Sequence, residues 1–152
     1  MAQGNGAIYN NFKEVIMNGV YNLASGGHTL KLTMHTGYTP NIDSHAVWAD
    51  SGVSSTEYGT ASGYTAGGKT LASQTTSQDN TNDRGVFDAA DVTWTALGPL
   101  SPATPSHVIL WDDTPTTPQA DPLIAYWELG TTATNGGDYT IQWGANGIIL
   151  LT

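Results

Sequence analysis

The sequence contains no cysteine and very few basic residues. Without cysteine, disulfides, zinc–thiolate sites and thiol catalysis are all excluded. The four basic residues are Lys13, Lys31, Lys69 and Arg84, which are scattered along the chain. Binding nucleic acid requires a cluster of basic side chains that neutralise phosphates. The sequence therefore predicts a protein that does not bind nucleic acid.

Long apolar runs are also missing. None approaches the roughly 20 residues that span a bilayer, and residues 1–7 have neither the basic region nor the apolar core of a signal peptide. We therefore expect no membrane partner and synthesis in the cytoplasm. Charged residues make up 11% of the 152 residues, against roughly 25% in average domains. Five tryptophans and seven tyrosines indicate an ordered chain, and the net charge of −9 indicates an acidic surface.

The last third of the chain consists of short apolar runs bounded by Gly, Pro, Asp or Asn. These runs fall within residues 107–113, 121–130 and 138–152, and they are rich in β-branched and aromatic residues. This pattern predicts short buried strands. Residues 148–151 form an unbroken apolar run, which predicts one of two arrangements. It is either a central strand buried on both faces, or an edge strand covered by the N-terminal helix or by a neighbouring copy.

The rest of the chain predicts one helix and further strands. Apolar residues recur at helical spacing early in the chain, which predicts a helix over residues 8–18 after a flexible start over 1–7. Residues 42–69 are irregular and predict a long ordered loop or short edge strands. Strands are predicted near 29–36, 70–78, 84–88 and 91–96. The fold class is thus a single all-β domain over 1–152, with about eight short strands and one N-terminal helix, arranged as a jelly-roll-like sandwich or a small barrel.

Several local patterns resemble functional motifs but lack the context that the chemistry requires. Residues 63–70 match the phosphate-binding pattern G-x-x-x-x-G-K-T, yet no buried strand precedes them and no helix follows. Residues 79–83 resemble the start of a calcium loop, but Arg84 and Ala90 occupy positions that need Gly and Glu. Asp112, Asp113 and Asp121 flank a proline-rich loop, where turn formation is favoured over a metal or sugar site, and the four histidines have no metal-ligand spacing. We therefore predict no catalytic residue, no cofactor and no metal site.

Two groups of aromatic residues are informative. Four tryptophans, at positions 94, 111, 127 and 143, lie in predicted strands and are expected in the core. A second group lies in the irregular segment or on the N-terminal helix, where its members are candidates for an interface with another copy or another protein. These interface candidates are Trp48, Tyr58, Tyr64, Phe12 and Tyr9.

Several segments, taken in order, resemble small structural proteins of tailed bacteriophages. They are residues 9–14, 37–43, 63–71, 87–94, 121–126 and 141–143. The resemblance runs from about residue 8 to 152, and similar proteins of this size include capsid cement, or decoration, proteins with jelly-roll-like folds, which we favour. It implies a non-enzymatic virion protein on the outer surface of the capsid. Its partners would be the major capsid protein and further copies of itself, as a dimer or trimer.

Two other functions remain open at this point. A phage tail or receptor-binding component would recognise a host glycan through its loops. A free carbohydrate-binding module or a glycosidase fragment would need exposed aromatic side chains or paired carboxylates.

Overall fold

The computed structural model describes residues 5–114 and 119–152. This part of the chain contains ten β-strands in three antiparallel sheets, one α-helix and one short 3-10 helix. In chain order the elements are β1 (Gly6–Ile8), α1 (Asn10–Met17), β2 (Leu30–His35), a 3-10 helix (Ser54–Thr56), β3 (Lys69–Thr70), β4 (Thr75–Asp79), β5 (Arg84–Asp88), β6 (Val92–Trp94), β7 (His107–Asp112), β8 (Leu123–Glu128), β9 (Tyr139–Ile141) and β10 (Ile149–Leu151).

The sheets form a sandwich, which is one of the two architectures that the sequence predicts. A five-stranded sheet has the order β1-β8-β7-β2-β3, a three-stranded sheet has the order β10-β5-β4, and β6 pairs with β9. Among the residues that the structure describes, each sheet keeps two open edges, so the small-barrel alternative is wrong. The all-β class with one N-terminal helix is confirmed, with ten strands rather than about eight.

The main core lies between one face of the five-stranded sheet and the two smaller sheets. Side chains alternate along each strand, so Leu30, Leu32 and Met34 of β2 enter this core together. They meet large side chains from the opposite sheets. Those side chains are Phe87, Val92, Trp94, Tyr139, Ile141 and Ile149.

The other face of the five-stranded sheet is covered by the long segment between β2 and β3. Tyr38, Val53 and Trp48 of this segment pack against Ile109 and Trp111 of β7. The segment 42–69, predicted as a long ordered loop or short edge strands, contains turns, isolated bridges and the 3-10 helix up to residue 68, and β3 begins at Lys69. Both faces of the central strands are therefore buried, which explains their continuous apolar runs.

The flexible start predicted over residues 1–7 is wrong for the described residues 5–7. Gly6–Ile8 form β1, which pairs with β8 across more than a hundred residues of sequence. A Cβ at Gly6 would lie 2.3 Å from Cδ1 of Trp127, so the strand fits closely against its neighbour. Residues 1–4 lie outside the described residues. The helix is Asn10–Met17 rather than 8–18, since Ile8 pairs with Ala125 and Gly19 takes a left-handed φ of 68°.

Two other predicted strands are shorter than expected. The segment 70–78 contains two strands, because β3 pairs with β2 in the large sheet while β4 pairs with β5 in the three-stranded sheet. Ser73 has a φ of 56° in the crossing between them. The strand predicted over 91–96 ends at Trp94, and Ala96 has a φ of 49°.

The run 148–151 does not form a central strand, so that alternative is wrong. Within residues 5–114 and 119–152, β10 pairs only with β5 and forms an edge of the three-stranded sheet. Ile148 and Ile149 are buried, Leu150 is half-buried, and the Leu151 residue is 43% exposed.

Candidate functional site

Four of the five aromatic interface candidates are in the interior. Tyr9, Phe12, Tyr58 and Tyr64 are all buried. Phe12 packs against Tyr21, and Tyr9 packs against Tyr126. The rings of these four interface candidates are therefore not available to a partner in this conformation.

Tyr64 shows why the irregular segment is ordered. Its hydroxyl donates to Glu57 Oε1 at 2.7 Å and accepts the Met34 backbone N–H at 3.0 Å. Its ring stacks on Trp94 at 6.1 Å between centroids. The loop is thus attached to β2 through a buried hydroxyl and to β6 through a buried ring.

Trp48 is the one interface candidate that keeps partial exposure. Its ring stacks on Trp111 with 4.7 Å between centroids and a 16° interplanar angle. Its backbone N–H donates to the Asp121 carbonyl at 2.9 Å. Trp48 remains a candidate for a contact, although one of its faces is occupied by Trp111.

The phosphate-loop match at 63–70 is a turn that leads into β3. The Gly67 N–H donates to Glu57 Oε1 at 2.7 Å, so a carboxylate of the protein already accepts this donor. A Cβ at Gly68 would lie 2.1 Å from the Leu32 carbonyl oxygen, and Lys69 Nζ donates to the Thr93 carbonyl. A strand follows instead of a helix, so the geometry that directs N–H groups at phosphate is not formed.

The aspartates that resembled metal ligands bind groups of the protein. Asp79 accepts backbone N–H groups of Thr81 and Asn82 and pairs with Arg84 at 2.8 Å. The Asn82 side-chain amide also donates to Asp79 Oδ2 at 2.8 Å. This bond most of all, followed by the bonds from Arg84 and the backbone, lowers the pKa of the Asp79 carboxyl. Lys31 Nζ lies 3.0 Å from Asp113. The described residues contain no group of three or more His, Asp or Glu side chains placed to hold a metal ion.

Asp112 and His28 form a pair that the sequence did not reveal. Asp112 is fully buried at the end of β7, and its Oδ2 lies 2.6 Å from His28 Nδ1. Burial raises the pKa of the Asp112 carboxyl, while the bonds from His28 and the Thr114 N–H lower it. The two residues are 84 positions apart, and the antiparallel pairing of β2 with β7 brings them together.

A tyrosine–histidine network lies beneath the long loop. The hydroxyls of Tyr9 and Tyr38 are 2.5 Å apart, and the Tyr38 hydroxyl lies 2.9 Å from His45 Nδ1. His35 is fully buried between the hydroxyls of Thr33 and Thr56, at 2.9 and 3.0 Å. Burial, followed by the nearby charge of His107, lowers the pKa of His35 to about 3. His35 is therefore a neutral packing residue at physiological pH.

An apolar groove lies between the end of α1 and the three-stranded sheet. Ile149 and Leu151 of β10 form one side of it, and Gly85 leaves its floor without a side chain. Within the described residues, the large apolar side chains that are exposed are Met17, at 80%, and Leu151. Leu151 lines the groove, and Met17 directly follows Ile16, which also lines it. The apolar run 148–151 was the sequence feature that pointed to this place.

No α-helix in the described part of the chain has the length and apolar character needed to cross a bilayer. Compared with known proteins, the chain matches no family, no curated protein and no solved structure.

Proposed function

We propose that this protein is a non-enzymatic structural protein of a tailed-phage virion, which binds the outer surface of the capsid and stabilises it. The observation that supports a structural role is the use made of its polar side chains. Glu57 accepts bonds from Tyr64 and Gly67, Asp50 accepts the Ala46 and Val47 N–H groups, and Asp112 binds His28. Groups that could otherwise perform acid–base chemistry thus hold loops in place.

The order of the long loop also supports this role. A cement protein has to present a fixed surface to its neighbours, because ordering a flexible loop on binding costs affinity. Here the segment between β2 and β3 is attached to the five-stranded sheet by buried aromatic rings, by Tyr64 and by the His35–Thr56 bond. A preorganised surface of this kind favours repeated, identical contacts on a shell.

The chain's resemblance to capsid decoration proteins supplies the location, the head surface, and the partner, the major capsid protein. The net charge of −9 fits an exposed position, because like-charged particles repel and stay dispersed. The alternative of a carbohydrate-binding module receives less support, since Tyr58, Tyr64, Trp94, Trp111 and Trp127 are buried and do not offer a stacking surface for a sugar.

The test is to locate the protein on purified virions of the phage that encodes it. We expect cryo-electron microscopy to show it on the outside of the head, in a copy number comparable to that of the major capsid protein. A deletion phage should still assemble heads, and these should burst more readily on heating or at low salt. Adding purified protein back to the deletion heads should restore their resistance.

Two outcomes would replace this proposal with one of the alternatives. Labelling confined to the tail, in a few copies, would identify a tail component. Specific binding on a glycan array, by a protein absent from virions, would identify a carbohydrate-binding module.

A further inference from the structure

We infer that the open edge of β10 is a homodimer interface, where two copies pair antiparallel about a two-fold axis at Leu150. The inference concerns the protein in solution and does not depend on its place in a virion. Strand β10 pairs with β5 on one side only, and no strand of the described chain pairs with its other side. An apolar strand with an open edge is a template for pairing with another chain.

The side chains of β10 favour this particular register. Residues Phe87 and Ile149 are cross-strand partners, and Gly85 pairs with Leu151, so Ile149 and Leu151 lie on the groove face. Leu150 lies on the opposite face. Antiparallel pairing centred on Leu150 places Leu151 of each copy directly opposite Ile149 of the other. The exposed Leu151 side chain is then covered on the face where the groove already offers apolar surface.

The charge distribution allows two acidic copies to meet at this edge. Each chain carries a net charge of −9, so two copies repel unless they meet where carboxylates are missing. None of the residues that line the groove is an Asp, Glu, Lys or Arg. Its apolar surface comes from the helix end, the following loop and the sheet. The side chains concerned are Ile16, Tyr21, Leu23, Phe87, Ile149 and Leu151.

The opposite edge of the same sheet lacks these properties. Strand β4 reads Thr-Thr-Ser-Gln-Asp, and all its residues except Asp79 are exposed. A head-to-tail contact between β10 and β4 would set polar side chains against apolar ones and would not close. The two-fold contact uses one self-complementary edge and leaves β4 in solvent. Because the pairing is short, we expect a dimer that dissociates on dilution.

Cysteine trapping tests the register directly, because the chain has no cysteine of its own. Leu150→Cys should form a disulfide-linked dimer under mild oxidation, since the two sulfurs would face each other across the axis. Ser77→Cys is the matched control: Ser77, Val86 and Leu150 lie in one row across the sheet, so the control thiol occupies the opposite edge. It should stay monomeric. Cross-linking between the two variants when mixed, without cross-linking of Leu150→Cys alone, would show a head-to-tail contact and overturn the inference.

A charge variant tests the same interface without cross-linking. In sedimentation experiments over a concentration series, the wild-type protein should approach twice its 16.0 kDa mass. Leu151→Glu adds a carboxylate to each side of the axis and should weaken association about tenfold or more. Gln78→Glu adds the same charge in the same row at the opposite edge and should have no effect.

Three further outcomes would overturn the inference. One is a monomer at every concentration, with no cross-link in Leu150→Cys. Another is a dimer or trimer that Leu151→Glu leaves unchanged although the variant melts like the wild type. The third is a monomer whose Leu151→Glu variant fails to bind phage heads while Gln78→Glu still binds, which would make the capsid protein the occupant of the groove.

Discussion

The five-stranded and three-stranded sheets of this protein differ in how completely they are covered. Strands β2 and β7 of the large sheet are buried along almost their whole length, because the smaller sheets cover one face and the long loop covers the other. Strand β4 of the three-stranded sheet is exposed, and β10 is buried only at its start. The difference indicates that stability is concentrated in the first sheet, whereas the second sheet keeps surface available for contacts.

Truncation of one leucine in each sheet should show the largest contrast. Leu110 is fully buried at the centre of the large sheet, so Leu110→Ala should lower the free energy of unfolding by about 2–5 kcal/mol. Leu151→Ala should lower it by less than about 1 kcal/mol, because Leu151 loses little burial on truncation. Urea unfolding at low protein concentration, where association does not contribute, measures both. Equal losses would contradict the division of roles between the two sheets.

The same contrast explains which parts of the fold the sequence could predict. The strand over 84–88 is found at its predicted bounds, because its turn residues and composition are local properties. Strand β1 was missed because Gly6 is fixed by Trp127, a partner far along the chain. The burial of Tyr58 and Tyr64 was missed for a similar reason. Their neighbours, Pro102 for the Tyr58 hydroxyl and Trp94 for the Tyr64 ring, belong to other elements that only the folded topology brings near.

The candidate contact surface was only partly predictable. The run 148–151 indicated either a buried strand or an edge in need of cover, and the structure shows the edge. Whether an apolar run becomes a central strand depends on how many neighbours pair with it. That number is a property of the sheet order and not of the run itself.

Acidification should destabilise the layer between the large sheet and the long loop. The pKa of His35 is about 3 in the folded protein, against roughly 6.5 when the chain is unfolded. The unfolded state therefore takes up the proton first. The contribution of His35 to stability is complete above about pH 6.5 and is lost as the pH falls towards 3, by about 1.4 kcal/mol per pH unit.

The lowered pKa of His107 acts in the same direction. Burial raises the pKa values of Glu57 and Asp112, so protonation of these carboxyls favours the folded state and opposes the loss under the most acidic conditions. Denaturant unfolding between about pH 7 and 4 measures the balance. His35→Gln, which hydrogen-bonds without titrating, should flatten the dependence. An unchanged slope in His35→Gln would show that another group is responsible.

The same substitution of glycine by alanine should have opposite effects in the two sheets. At Gly6 the new Cβ would lie 2.3 Å from Trp127 and 2.4 Å from the Tyr126 carbonyl oxygen, so Gly6→Ala should cost about 1–3 kcal/mol. At Gly85 the nearest atom is Leu151 Cβ at 3.9 Å, so Gly85→Ala should stabilise by about 0.5–1 kcal/mol. Thermal melting of the two variants provides the measurement. Destabilisation by Gly85→Ala would mean that the groove floor has less room than its geometry indicates.

The smallest effect is expected at a contact that joins two sheets on the surface. Lys69 is an exposed residue of β3, and its Nζ donates to the Thr93 carbonyl in β6. Because both groups can bond to water instead, Lys69→Ala should change the free energy of unfolding by no more than about 0.5 kcal/mol.

Lys69 also belongs to the phosphate-loop match, whose Gly67 N–H is already bound by Glu57. Calorimetry with ATP should therefore detect no binding to the wild-type protein. ATP binding that disappears in Lys69→Ala would show that the turn over residues 63–70 can rearrange around phosphate. The contacts of this turn with the large sheet would then be weaker than the burial of Tyr64 indicates.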